Sequence, residues 1–384
     1  MGLADMRRPW EVWIAANTTW FVVNFRSRLI EALLREGHRV TVLSPVDAYV
    51  DRIHGLGAGH HPLVMDNAGT NPLADGALVL RLIGIFRRER PDVLLTFTPK
   101  VNIYCSMAGR LAGIPVLATI SGLGSGFIQG GWLTWVVRQL YRAALRHPYR
   151  VFFQNEDDRR LFERNRLVRP ARSESLPGSG VDLARFDPSQ RAATNGPFVF
   201  LLAARLLWDK GLAEFVEAAR ILRAANSQIE FRVVGFLDVK NPSAVPRQEV
   251  ASWQAAGLIR YLGATDDVVP VFAQADCVVL PSYREGTPRC LLEASAMGIP
   301  VIATDVAGCR HVVEDGVTGL LCAPRDARDL SEKMQRMLAL APEARRRMGD
   351  AGRRKMEREF DESVVIGRYL STIEQVLQQP AVSG

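Results

Sequence analysis

"DCVVLPSYREGTPRCLLEASAMGIPVIAT", residues 276–304, reads as a complete strand–loop–helix–strand unit. The run "DCVVLPS" is short and apolar, as a strand buried on both faces requires. Pro288 suits the first turn of a helix, where its missing N–H removes no hydrogen bond. "PRCLLEASAM" carries apolar side chains at helical spacing, and Gly298 fits just past the helix end. "PVIAT" then resumes as a strand. A strand, a helix and a second strand in that order predict a parallel crossover, hence an α/β fold. The same unit puts Glu285 in the loop before the helix. Glu293 lies more than a turn inside it, roughly 7–8 Å further along the axis at 1.5 Å per residue.

The alternation extends in both directions. Upstream in the same half, "FVFLLAARL" reads as a strand, "GLAEFVEAARILRAAN" as a helix and "IEFRVVG" as a strand. "IRYLGAT" is a further strand, "DDVVPVFAQA" a short helix, and "GLLCAP" a last strand. The first half repeats the pattern. "EVWIAA", "HRVTVLSP", "DVLLTFT" and "IPVLATI" are its strands, with helices in "FRSRLIEALLREG", "ALVLRLIGIFRRERP", "NIYCSMAGRLAG" and "GWLTWVVRQLYRAALRH". "YRVFFQNEDDRRLF" and "SESLPGSGVDLARF" continue it more weakly. The polar, Pro/Gly-bearing "DPSQRAATNGP" (residues 187–197) reads as a linker. A chain of 384 residues suits two such domains. They are expected at residues 1–187 and 197–361, with a helix in about 362–384 packing back on the first.

Hydrophobic residues at 48% and charged residues at 23% are those of a soluble globular protein. Five cysteines without a CxxC pair argue against a zinc site or disulfide framework and for a reducing compartment. The N-terminal stretch has no long apolar segment with a small-residue cleavage site, so no signal peptide is read. Residues 111–137 carry no charge and are long enough to span a bilayer, but Pro115 and the "SGLGSG" and "QGG" clusters break them into pieces. The charge is uneven. Residues 1–190 hold 24 Lys and Arg against 17 Asp and Glu, and the remainder holds 24 of each. An anionic partner of the first domain follows: phospholipid, a phosphorylated substrate or nucleic acid.

"SGLGSGF" (residues 121–127) imitates a dinucleotide fingerprint, but its third glycine is misplaced and no acid follows at the required distance. A nicotinamide cofactor is therefore disfavoured. In "LAARLLWDKGLAEFVEAA", Arg205 ends a strand, Lys210 and Gly211 precede a helix, and Asp209 could cap it. Two cations beside a helix N-terminus suit an anion. On loops they also read as solvated surface. Position favours the anion, because ligands of doubly wound sheets bind at the carboxyl ends of the strands. Glu285 and Glu293 read as a glycosidase-type acid and nucleophile, as hydroxyl-binding carboxylates, or as surface glutamates. A helical Glu293 near phosphate-binding cations suits hydroxyl binding better.

At these residues a resemblance is plain. "REGTPRCLLEASAMGIPVIATDVAGCRHVVEDGVTGLL" resembles the donor-site segment of the retaining glycosyltransferases of family 4, with the Glu–seven residues–Glu motif intact. "AARLLWDKG" matches their phosphate-binding segment, and "PGSGVDLARFDP" resembles their interdomain stretch. The resemblance implies a GT-B architecture: two Rossmann-like doubly wound domains facing a central cleft, a nucleotide-sugar co-substrate, no further cofactor and no obligatory metal. By the same resemblance, Arg205 and Lys210 hold the donor diphosphate, Glu293 the ribose hydroxyls, and Glu285 the transferred hexose. The N–H groups of Gly286 and Thr287 assist at the sugar, and "VVGFLD" (residues 233–238), with Gly235, approaches the base.

"NTTWFVVNFRSRLIEALLREGHRVTVLSP", "TFTPKVNIYCSMAGRLAGIP" and "ATISGLGSGF" resemble the bacterial subgroup that extends undecaprenyl-diphosphate-linked sugars, including N-acetylgalactosaminyltransferases of protein glycosylation and O-antigen or capsule enzymes. Two departures stand out. "NTTWF" replaces the Gly-Gly loop of many members, and the histidine near the sugar is missing around residues 121–124. Asn17, Arg26, Lys100, Asn102 and Gly122 are the acceptor-side candidates, and Lys100 at a helix start suits a pyrophosphate or simply solvent. In "GWLTWVVRQLYRAALRHPYR", Trp132, Trp135, Val136, Leu140 and Ala143–Ala144 are expected near one face, with Arg138, Arg142 and Arg146 at four-residue steps. That pattern fits a helix lying in an anionic membrane surface, or an ordinary amphipathic helix packed on the sheet. Nucleic acid is disfavoured for want of a recognition motif. The expected function is transfer of a hexose or N-acetylhexosamine from a UDP-sugar to a lipid-linked sugar at the inner face of the bacterial inner membrane. The rivals are a UDP-sugar epimerase or hydrolase and a non-catalytic nucleotide-sugar-binding protein.

Overall fold

The computed structural model of the protein describes residues 8–66, 71–122, 131–191, 196–225, 228–239 and 241–378. It divides into two compact units, Met1–Ser179 with Ser363–Gly384, and Gly180–Glu362. The chain thus crosses between units at 179/180 and 362/363. The linker-like stretch 187–197 is not the crossing: Asp187 opens a 3-10 turn at Pro188–Gln190, and Arg191 donates to the Gly298 carbonyl at 2.9 Å, inside the second unit.

The first unit is a seven-stranded sheet built from β1 (Glu11–Ala15), β2 (Arg39–Ser44), β3 (Gly59–Pro62), β4 (Val93–Phe97), β5 (Val116–Ile120), β6 (Arg150–Phe153) and β7 (Ser173–Ser175). Its order is β3-β2-β1-β4-β5-β6-β7, and all neighbours run parallel. Period-two alternation sends Trp13 and Ala15 into one core and Val12 and Ile14 into the other, so both faces of the sheet are covered. The C-terminal helix Glu362–Gln378 closes one face: Tyr369 is buried against Phe97 and Phe152 and shares a 2.7 Å hydrogen bond with Thr119.

The second unit holds β8 (Phe198–Ala203), β9 (Ile229–Val234), β10 (Arg260–Tyr261), β11 (Cys277–Leu280), β12 (Val301–Thr304) and β13 (Gly319–Cys322), in the order β10-β9-β8-β11-β12-β13, again all parallel. Phe200 and Leu202 face helices Leu212–Ala225 and Ala327–Ala339, while Val199 and Leu201 face helix Arg289–Ala296. In each sheet the order reverses once, between β1 and β4 and between β8 and β11. Ligands of open parallel sheets bind outside the carboxyl ends of the strands at such a reversal.

Several elements differ from the sequence reading. The first helix starts at Thr19, where the Thr18 side chain accepts from the Phe21 N–H. The described part of the uncharged segment contains β5 and the start of helix Gly131–Ala144, and no described helix is long and apolar enough to cross a membrane. That helix turns Tyr141 and Ala144 inward, as does Leu145 just past its end, with Tyr141 edge-on to Phe162 at 5.3 Å. Leu140 packs partly against the same core, whereas Trp135 is 63% exposed. The expected apolar stripe is therefore split between core and surface. Trp132 lies outside the described side chains.

Candidate active site

The loop after β8 and the loop after β11 flank the reversal of the second sheet and are locked together. Gly211, with φ +74°, ends the 3-10 turn Trp208–Lys210, and a Cβ there would lie 2.1 Å from the Pro281 carbonyl oxygen. Only glycine fits such an approach. The Asp209 carbonyl accepts from the Tyr283 N–H at 2.9 Å and from the Ser282 hydroxyl at 3.0 Å. Asp209 does not cap helix Leu212–Ala225 as the sequence suggests, because the 3-10 turn and Gly211 intervene. From the other side, a Cβ on Gly308 would lie 2.3 Å from the Gly286 carbonyl oxygen, so the Glu285–Gly286 backbone is held there too.

These locked loops bring Lys210 and Glu285 into an ion pair, with side chains 20% and 11% exposed. Arg205, two residues beyond β8, is exposed and makes no hydrogen bond or ion pair with a described side chain. Gly286 is buried and Thr287 half-buried on the way into helix Arg289–Ala296, for which Pro288 occupies the N-cap position. Glu293 is 8% exposed and pairs with Arg289, one turn earlier, at 2.7 Å. Burial holds its carboxyl above the usual glutamate range, against the opposing pull of Arg289 and Arg185. Neither arginine is apparent from sequence, although the i,i+4 spacing of Arg289 and Glu293 is the available signal for one of them.

Gly235 follows β9 with φ +147°. A Cβ there would lie 1.8 Å from the Ala204 carbonyl oxygen, so "VVGFLD" is pressed against the start of the Arg205 loop. The Gly235 carbonyl accepts from the Tyr261 hydroxyl at 2.8 Å. Two cations, two carboxylates and close-approaching backbone thus converge at the carboxyl end of one sheet. Such a set offers charge for a diphosphate and acceptors for hydroxyl groups.

The acceptor candidates of the first unit are less uniform. Asn17 is half-buried after β1. The amides that start the following helix are already engaged, because the Asp47 carboxylate accepts from the Thr19 N–H at 2.8 Å and the Trp20 N–H at 3.3 Å. Arg26 is 3% exposed and stacks over Phe97 at 4.3 Å, inside the unit rather than at its surface. Asn102 is 1% exposed and bridges β4 to β5, accepting from the Thr96 hydroxyl at 2.7 Å and donating to the Thr119 carbonyl at 2.8 Å. Its side chain is spent on the fold, which corrects its assignment as an acceptor contact. Lys100 donates to the Asp75 carboxylate at 3.0 Å and the Asp66 carbonyl at 2.9 Å, so it is neither solvated nor uncommitted. Gly122 is half-buried with φ +139°, and residues 123–127 of "SGLGSGF" lie outside the described residues. Sequence reading misses Thr98, which sits after β4 with φ +74° and ψ 146°, a conformation costing about 1–3 kcal/mol for a residue with a Cβ.

Known proteins resemble the chain over both units. The family model described as "Glycosyl transferase 4-like domain" matches residues 22–178, and "Glycosyl transferases group 1" matches residues 185–355. The N,N'-diacetylbacillosaminyl-diphospho-undecaprenol alpha-1,3-N-acetylgalactosaminyltransferase of Campylobacter jejuni is 28% identical over 374 residues, covering 93% of this chain and 96% of that one. The UDP-Gal:alpha-D-GlcNAc-diphosphoundecaprenol alpha-1,3-galactosyltransferase of Escherichia coli is 26% identical over 66% of this chain and 68% of its own. Among solved structures, Anabaena Alr3699/HepE in complex with UDP and glucose superposes with a TM-score of 0.77 at 16% identity, covering 95% of this chain and all of that one. The chain belongs to the GT-B glycosyltransferases that join a glycosyltransferase 4-like domain to a group 1 domain.

Proposed function

We propose that the enzyme moves a hexose or N-acetylhexosamine from a UDP-sugar to an undecaprenyl-diphosphate-linked sugar in bacterial glycan assembly, with retention and without a metal. The observation that carries this reading is the convergence of Arg205, Lys210, Glu285 and Glu293 at the reversal between β8 and β11. Arg205 and Lys210 offset the charge that develops on the leaving β-phosphate. Glu293 accepts from the ribose hydroxyls, and Glu285, with the Gly286 and Thr287 amides, from the hexose. No side chain in this set is placed as a covalent nucleophile. Front-face displacement, with the leaving phosphate as base, is the route that fits.

The lipid-linked acceptor is supported by the names of the Campylobacter and Escherichia relatives. A peripheral stand on a membrane, on its cytoplasmic face in this reading, is supported by exposed side chains of the first unit: Trp135 is 63% exposed, and Leu73, Leu80, Leu111, Arg81, Arg87, Arg110 and Arg146 are exposed as well. Exposed apolar side chains together with exposed basic ones suit an anionic interface.

Incubation of the purified chain with labelled UDP-sugars, with and without a bacterial lipid extract, tests the reading. Label entering lipid only when extract is present is the expected result. Free epimer or free sugar would favour the epimerase or hydrolase, and no conversion of any donor would leave a binding protein.

A further inference from the structure

Lys210 and Glu285 are bonded to each other, yet the donor reading above gives them different parts of one substrate, the diphosphate and the hexose. A diphosphate reaching Lys210 therefore meets a cation that already has a carboxylate. The loops carrying the two residues are in backbone contact at Gly211 and Pro281, and the Glu285–Gly286 backbone is packed against Gly308. The pair consequently separates by side-chain rotation and not by the loops moving apart. Glu285 is 11% exposed, so little water is available to replace its cation.

Two ligands then leave the site in different electrostatic states. With an intact nucleotide-sugar, Lys210 turns to the phosphate while the sugar hydroxyls donate to Glu285, and both groups stay satisfied. With UDP, Lys210 still turns to the phosphate, but Glu285 loses its cation, gains no hydroxyl and lies beside a like charge. A poorly solvated carboxylate is disfavoured there. We infer that Glu285 discriminates substrate from product: it competes with UDP for Lys210, and the transferred sugar removes that competition. The inference rests on the donor assignment but makes a separate demand, that a sugar-contacting acid weakens UDP binding.

A double-mutant cycle read by calorimetric titration with UDP at fixed ionic strength tests it. Relative to wild type, Glu285→Gln is expected to bind UDP roughly fivefold or more tightly, the scale of an ordinary coupling between sites. On a Lys210→Gln background the same substitution should give less than half that gain, measured as the logarithm of affinity. Titration with UDP-GlcNAc and UDP-GalNAc should show no matching gain for the sugar that is turned over. Glu285→Ala serves the same purpose if Glu285→Gln does not fold, and the same direction is expected. Equal or weaker UDP binding by a folded Glu285 variant overturns the inference while leaving the donor site standing. An equal gain on the Lys210→Gln background also overturns it. A folded wild type that binds no UDP overturns the donor assignment itself.

Discussion

The ammonium of Lys210, on the turn after β8, is bonded to the carboxylate of Glu285, on the loop after β11, 75 residues further along the chain. Arg205 stands on the same loop as Lys210 but exposed. The two cations thus share a proposed task and differ in structural role. Lys210→Ala should lower kcat for sugar transfer by about 100- to 1,000-fold, the usual loss of one preorganised charge-stabilising group. It should also cost about 1–3 kcal/mol of stability by stranding a buried carboxylate. Arg205→Ala should lower kcat similarly and leave the melting temperature unchanged. Steady-state kinetics beside thermal unfolding checks both; near wild-type turnover in either variant would remove it from the mechanism.

Glu293 should make nucleotide binding sensitive to acid. Its folded carboxyl titrates above the usual glutamate range because it is buried, so protonation begins at a higher pH than for an exposed glutamate. The protonated form loses an acceptor for the ribose hydroxyls. UDP affinity should therefore fall on acidification through the raised pKa, more steeply in wild type than in Glu293→Gln in the same buffers. The stability sign is opposite to that of an acid whose pKa is lowered on folding, because burial of Glu293 outweighs its pairing with Arg289. Because the folded state holds its proton longer than the unfolded chain, stability declines as pH rises from the unfolded to the folded pKa. Glu293→Gln should accordingly be more stable than wild type at neutral pH, with the difference closing below the unfolded value of about 4.3. Parallel melting curves from pH 4 to pH 8 (a range on the order of that where carboxylates titrate) would expose an inverted sign.

Much of the second unit was legible because its signals are local. Buried parallel strands announce themselves as apolar runs, and Pro288 and Gly298 bracket the helix Arg289–Ala296 where the sequence places it. The ion pair of Lys210 and Glu285 is not local, and no spacing predicts it. β3 was missed because "GHHP" has neither β-branched residues nor length, and its pairing with β2 comes from the sheet. Helices Arg247–Ala255 and Pro342–Lys355 escaped because polar residues in the first and charged residues in the second dilute their apolar periodicity. Asn102 was misread for a different reason: a polar residue after a strand suggests a ligand, whereas the fold uses it to tie β4 to β5. Thr98 gives no signal. The residue before a proline is biased toward extended backbone, and its ψ obeys that while its φ does not.

Asn102→Ala should act on stability and not on acceptor affinity. The substitution removes two buried hydrogen bonds and leaves the Thr96 hydroxyl and Thr119 carbonyl to find other partners. Each stranded polar group costs about 1–3 kcal/mol. A drop of several degrees in melting temperature with KM for acceptor unchanged at a permissive temperature is the expected result. A raised KM with unchanged melting temperature would return Asn102 to the acceptor site.

Gly308→Ala should damage the donor site from behind. Its new methyl group would meet the Gly286 carbonyl oxygen at 2.3 Å, which is backbone and cannot rotate away. Overpacking of this kind costs about 1–3 kcal/mol and displaces the neighbour. The displaced neighbour is the loop that carries Glu285, so donor KM should rise together with the loss of stability. Gly84→Ala is the control: nothing lies within 4 Å of its Cβ, and it sits on helix Pro72–Glu89. There alanine should stabilise by about 1 kcal/mol through its higher helix propensity. Equal behaviour of the two variants would show that the loop is not held as tightly as its backbone contacts imply.

The outer face of the helix Gly131–Ala144 yields the last prediction. Tyr141 and Ala144, with Leu145 in the turn that follows, anchor this helix to the first unit's core, so exposed residues here can be changed without removing that packing. Trp135 on the helix and Arg146 in the turn just past its end are both exposed, one apolar and one cationic. If this face rests on an anionic membrane, the double variant Trp135→Ser, Arg146→Glu should bind phosphatidylglycerol-containing vesicles roughly tenfold more weakly, since each basic residue near such a surface contributes about 1 kcal/mol. Binding of the wild type should fall with added salt, because the screening length shrinks to about 3 Å at 1 M. UDP affinity, read on the other unit, should stay unchanged. Vesicle binding that survives the double variant and high salt would place the membrane contact elsewhere.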